Sequence, residues 1–221
     1  MLMSLPLIML QEPVRAQEAA YKWNVGLNMG IGGYLGDYNP GNVLSNVGFA
    51  GKVGANYIYD SRWEFSANLG YQSVKGDIKG NEDKFPTNFP VSFNATAVDL
   101  SFRVEFNFFP FGIGETYKAL KIWTPYIAAG VGLAGAKPQH HAFVMAPELP
   151  VAVGVKYKVT PRMNLKLEFS VAKTFSSSID AMTSPYGIDR TWLRHTDWLT
   201  SLQVGVSYEF GERCATCHYV E

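Results

Sequence analysis

From residue 21 onward, apolar and polar residues alternate with the period-two pattern of β-strands. In Tyr21–Ile31, Tyr21, Trp23, Val25, Leu27, Met29 and Ile31 alternate with Lys22, Asn24, Gly26, Asn28 and Gly30. The same alternation predicts strands over Phe49–Tyr59, Trp63–Ser73, 98–108, Pro125–Ala134, Leu149–Val159, Met163–Val171 and Trp198–Phe210. Each is about ten residues long, matching a tilted strand that crosses a bilayer core. Their connections alternate in length. Short or moderate ones fall at 60–62, 110–123 and 160–162, and longer ones at 35–47, 74–95, 135–147 and 173–196. An even number of strands with this asymmetry predicts an all-β fold, a closed eight-stranded antiparallel transmembrane barrel with both termini on the short-turn side.

Alternation alone does not say which face points outward, since a lipocalin-like soluble barrel hides its apolar register inside. Aromatic placement favours the inverse. Tyr21, Trp23, Tyr57, Tyr59, Trp63, Phe65, Phe106, Phe108, Tyr157, Tyr208 and Phe210 gather near the short turns, with Phe49, Tyr71 and Trp198 near the long loops. Aromatic rings suit headgroup depth, so two such girdles around an aliphatic band predict a lipid-facing surface. Composition agrees. Charged residues make up 17% of the 221-residue chain, against about 25% in a typical soluble domain. Lys and Arg total 19 and so do Asp and Glu, which leaves no basic excess for nucleic acid.

The polar register then points into a narrow interior, where eight strands leave room for little but side chains. It carries Lys52, Arg103, Lys156 and Lys166 against Glu64, Asp99, Glu105 and Glu168. These groups predict a salt-bridged plug in place of an open channel.

Residues 1–16 are apolar up to Leu10, and Val14 and Ala16 stand at −3 and −1 of a cleavage site, so a signal peptide is expected there. No Lys or Arg precedes its apolar run, which departs from that pattern. The barrel is then assigned to 17–210 and a periplasmic tail to 211–221. The two cysteines of the chain, Cys214 and Cys217, lie in that tail and are followed by His218. Cys-x-x-Cys-His matches c-type haem attachment. Eleven tail residues provide neither an apolar pocket nor a second axial ligand, and a zinc site would lack a ligand. A redox link, within the tail or to a partner, fits an oxidising periplasm better. His140-His141 has no carboxylate or cysteine at ligand spacing, and the apolar register carries no His of the kind a lipid-processing barrel enzyme would use. No catalytic residue, metal site or cofactor is expected.

The opening strand with Gly-Ile-Gly-Gly-Tyr-Leu-Gly-Asp (30–37), the last strand ending Val-Ser-Tyr-Glu-Phe (206–210) and the paired cysteines resemble PorG-type outer-membrane barrels of Bacteroidota. The resemblance implies a non-enzymatic component of type IX secretion in the outer membrane, surrounded by lipid and associated with periplasmic ring proteins that include a lipoprotein. It offers no catalytic residues. A generic small barrel of the OmpA type, serving adhesion or envelope integrity, is the alternative reading.

Overall fold

The computed structural model describes residues 21–35, 47–77, 92–113, 119–138, 144–175 and 197–212. They form β1 (Tyr21–Leu35), β2 (Gly48–Ile58), β3 (Trp63–Asp77), β4 (Ser92–Asn107), β5 (Trp123–Pro138), β6 (Val144–Lys158), β7 (Met163–Thr174) and β8 (Asp197–Glu212). Each strand pairs antiparallel with its sequence neighbour. β1 also pairs with β8, from Tyr21↔Glu212 to Leu35↔Trp198, and this closes the barrel. The expected fold is thus the observed one.

The register places the apolar set outside. Leu69, Leu100 and Leu133 stand side by side on β3, β4 and β5, all strongly exposed. Aromatic residues pack in T-shaped and tilted pairs at the short-turn end. Trp23 and Tyr57 have ring centroids 5.2 Å apart, and Trp63 and Phe106 4.7 Å. Such cross-strand pairs are the ordinary stabilising unit of a sheet surface.

Several strands run further than the alternation suggested. β3 and β4 stay paired out to Asp77↔Ser92, and β5 and β6 out to Ala136↔Val144. The connection expected at 135–147 therefore shrinks to 139–143. Ladder hydrogen bonds need only backbone, so pairing continues after the apolar signal stops. β6 also passes through Pro147 and Pro150, which the expected start at Leu149 excluded in part. Proline supplies no N–H to a ladder, and the β5–β6 pairing lapses between Ala129↔Val151 and Gly132↔Glu148.

The short turns are fixed by side chains. Asp60 Oδ1 accepts hydrogen bonds from the backbone N–H groups of Arg62 (2.6 Å) and Trp63 (2.7 Å). Thr160 Oγ1 accepts one from Met163 N–H at 3.0 Å. The connection from β4 to β5 folds under the barrel mouth, where Phe111 N–H donates to the Ser61 carbonyl at 2.9 Å. Phe111 is buried there, with Lys158 Nζ 5.1 Å from its ring centroid.

Small residues let strands approach at particular points. A Cβ on Gly130 would collide with the Phe102 carbonyl and stand 2.7 Å from Arg103 Cα. Gly130→Val should therefore prevent closure, while Val131→Ala on the exposed face should leave the barrel folded. Heat-modifiable mobility on gels reads this directly; a compact, heat-shiftable Gly130→Val barrel would contradict the register.

Candidate functional site

The chemistry-bearing groups of the described residues lie inside the barrel. Glu168 on β7 is the best-connected carboxylate. Its Oε1 meets Lys52 Nζ at 2.9 Å and Arg103 Nη1 at 3.0 Å. Its Oε2 accepts from Arg103 Nη2 at 3.2 Å and from the Tyr126 hydroxyl at 2.7 Å. Three other strands thus converge on one side chain.

Glu105 on β4 is the second meeting point. Its Oε2 lies 2.9 Å from Lys156 Nζ and 3.3 Å from Lys166 Nζ, and its Oε1 lies 3.4 Å from Arg103 Nη2. Lys156 also reaches Glu64 Oε1 at 2.7 Å. Asn107 and Asn56 each donate a hydrogen bond to Glu64, both at 3.1 Å. The ammonium groups of Lys156 and Lys166 both lie over the ring of Tyr126, at 4.7 and 5.1 Å from its centroid. Cations over a desolvated aromatic face are favourable, so this ring helps two like charges coexist.

Of the lumen residues expected from the sequence, all but Asp99 join this network. Asp99 forms no ion pair with any described residue within 4.0 Å. Its carboxylate lies over Gly70, where a Cβ would collide with it. Cys214 and Cys217 lie outside the described residues, as do His140, His141, His195 and His218 and the stretch 1–16.

The interior also holds groups beyond that set. Lys158 and Glu209 pair at 2.7 Å near the short-turn mouth, and Asn164 donates to Glu209 at 2.7 Å. Both belong to the polar register, so period two alone could have found them. Tyr126 falls in the glycine-rich polar register of β5, where its position, more than its residue type, indicated the lumen. Glu148, only 2% exposed, lies just before the expected start of its strand. Its neighbours Pro147 and Pro150 concealed it.

The opening glycines have a packing explanation. Gln72 of β3 reaches across the lumen to donate from Nε2 to the Gly33 carbonyl at 3.0 Å and the Thr200 carbonyl at 3.3 Å. A Cβ on Gly32 would stand 2.6 Å from that same Nε2. Glycine at this point makes room for a cross-lumen strut.

Small spaces lie inside among the described residues. One, of about 20 Å³, lies at the short-turn mouth beside Phe111, Lys158 and Glu209. Another, of about 40 Å³, lies between the network and the long connections, beside Asp99, Glu148 and Gln203. A single water needs roughly 10–15 Å³ by this measure, so neither is a channel.

Residues 2–219 match a family described as a domain of unknown function, DUF6089. The chain belongs to that family. No curated protein matches it in sequence. Among solved structures, this DUF6089 chain is similar to the Neisserial surface protein A, with a TM-score of 0.57, 16% identity, and coverage of 87% of this chain and 100% of that one. It is also similar to the attachment invasion locus protein Ail of Yersinia pestis in complex with the heparin analogue sucrose octasulfate. There the TM-score is 0.50 at 12% identity, covering 86% of this chain and 99% of that one. At these identities the likeness is one of fold, and the fold is that of outer-membrane barrels.

Removing one member of a buried pair leaves the other charge uncompensated, which costs about 3–5 kcal/mol. Glu168→Ala would strand Lys52 and leave Arg103 only its 3.4 Å contact with Glu105, so it should lower the thermal midpoint clearly in detergent. Val131→Ala, on the lipid-facing side of β5, should change it much less. Equal midpoints for Glu168→Ala and the unmodified barrel would show that the network carries no stability.

Proposed function

We propose that this DUF6089 chain is a non-enzymatic, non-conducting outer-membrane barrel that anchors or helps assemble a protein secretion machinery. The plugged lumen carries this reading. With Glu64, Glu105 and Glu168 tied to lysines and arginine across the bore, the work is left to the two rims. The apolar outer face, with Phe102 at 58% and Val131 at 60% exposure, has no satisfactory solvent but lipid. In hydrocarbon only helices or closed sheets satisfy the backbone, and β1–β8 pairing completes such a sheet.

The type IX assignment is supported by the resemblance to PorG-type barrels, in which Cys214 and Cys217 follow the last strand on a short tail. Because packing against Gln72 explains Gly32, the glycines weigh less in this reading and the cysteines more. On the same reading the tail lies in the periplasm and meets a ring containing a lipoprotein. A disulfide across so short a loop would restrict the unfolded chain little, so the pair fits partner contact better than barrel support.

A second reading has its own observation. β3 and β4 remain paired to Asp77↔Ser92, well past Tyr71 of the aromatic girdle, and the fold-related Yersinia protein is named for attachment. A projecting hairpin of this kind would suit a small adhesin.

Crosslinking from the tail in intact cells, with a tail-deleted control, separates the two. Capture of periplasmic ring proteins by the intact tail supports the anchor. Cell-surface binding that survives tail deletion, with no periplasmic capture, supports the adhesin. Cys214→Ala with Cys217→Ala should leave the heat-modifiable barrel intact while weakening capture or secretion. A haem absorbance band in the purified protein would overturn the partner role of these cysteines.

Placement in lipid is tested by Leu100→Arg and Val204→Arg. A charge facing lipid near mid-depth costs about 2–4 kcal/mol in a barrel, so both should reduce the folded fraction in vesicles. A soluble, monomeric chain without detergent would contradict the membrane reading. Planar-bilayer recordings should show no steady conductance, and a large, stable one would refute the plug.

A further inference from the structure

We propose that the lumen cavity nearer the long connections is a binding site for one hard metal cation, held by the oxygens of Glu148, Asp99 and Gln203. All three residues line the same space of about 40 Å³. Glu148 is 2% exposed, yet neither of its carboxylate oxygens has a hydrogen-bond partner. Gln203 is 4% exposed and its Oε1 is likewise unpartnered. Buried polar atoms are almost always satisfied, and a buried unpaired carboxylate is far more costly than a neutral group.

The distribution of charge explains the vacancy of partners. Lys52 also lines the cavity, but its Nζ is committed to Glu168 at 2.9 Å. Arg103 turns toward Glu168 and Glu105, Lys156 toward Glu64 and Glu105, and Lys166 toward Glu105. Lys158 is held by Glu209 at the far mouth. Every one of these lumen cations is thus engaged by another carboxylate, and among the described residues Asp99 and Glu148 form no ion pair. Counting these groups, the lumen holds one more carboxylate than it holds cations.

The donor types point to the class of ion. Carboxylate, amide and hydroxyl oxygens, the last from Ser101, Ser170 and Ser201, suit sodium or calcium and not a soft metal. Among the described residues there is no group of three His, Cys, Asp or Glu side chains arranged for a metal. The remaining ligands would therefore be neutral oxygens and water. Gly132 and Gly70 leave the space open, since a Cβ on Gly132 would stand 2.7 Å from Glu148 Oε1.

The test is the thermal midpoint of the full chain in detergent, with sodium chloride or calcium chloride titrated against choline chloride at constant ionic strength. Ligand at about a hundred times its dissociation constant should raise the midpoint by roughly 5–10 °C. The arm that responds, sodium or calcium, identifies the ion. Glu148→Gln keeps the side-chain shape and should abolish the response while still folding, as should Asp99→Asn. If either variant fails to fold, equilibrium dialysis of the unmodified barrel with radioactive calcium or sodium decides, and one bound ion per chain is expected. Identical midpoints in all salts and no bound ion would overturn the site, leaving Glu148 neutralised by a proton. A salt response that persists in folded Glu148→Gln would overturn it equally.

Discussion

The pairing of β1 with β8 removes every strand edge, and the rest of the molecule follows from that closure. Once the sheet is continuous, period two divides the side chains into an outward set and an inward set with no exceptions for convenience. A one-residue slip at any seam would carry lysines into the outer face and leucines into the bore. The outward set forms a continuous apolar belt. The inward set must fill a space that is too narrow for a continuous water column and too polar for a hydrocarbon core.

The interior solves this with charges that answer one another across the bore. Such pairs are weak evidence of net stability, because desolvation offsets much of their attraction. Their better-supported role here is geometric. Glu168 on β7 receives donors from β2, β4 and β5, and each bond is possible only in one register. Tyr126 adds a hydroxyl for Glu168 and a ring face for two lysines, serving hydrogen-bonding and cation–π roles with one side chain.

Most of the architecture was legible in the alternation, because lipid-facing and lumen-facing positions differ so sharply in chemistry. Strand ends were less legible. Past the aliphatic band both faces meet water, and backbone pairing such as Ala136↔Val144 leaves no hydrophobic trace. The charge network was visible as a set of residue types on one face, but not as a set of partners. Strand shear decides which lysine reaches which glutamate, and alternation carries no information about shear. Asp99 illustrates the difference: it stands on the polar face, yet forms no ion pair with a described residue. Glu148 was hidden because prolines on both sides disguised a strand as a loop.

The wiring of Glu168 also bears on how the barrel can be built. Its donors come from strands far apart in the chain; Lys52 is 116 residues away from it and Arg103 is 65. A nascent half-barrel of β1 to β4 would already contain Lys52 but not the carboxylate that answers it, and its Arg103 would keep Glu105 alone. Such an intermediate would hold an unanswered charge on a face that cannot enter lipid. The early hairpins are therefore poor candidates for stepwise insertion. Assembly should instead be concerted, with the last strands arriving before the first commit to the bilayer.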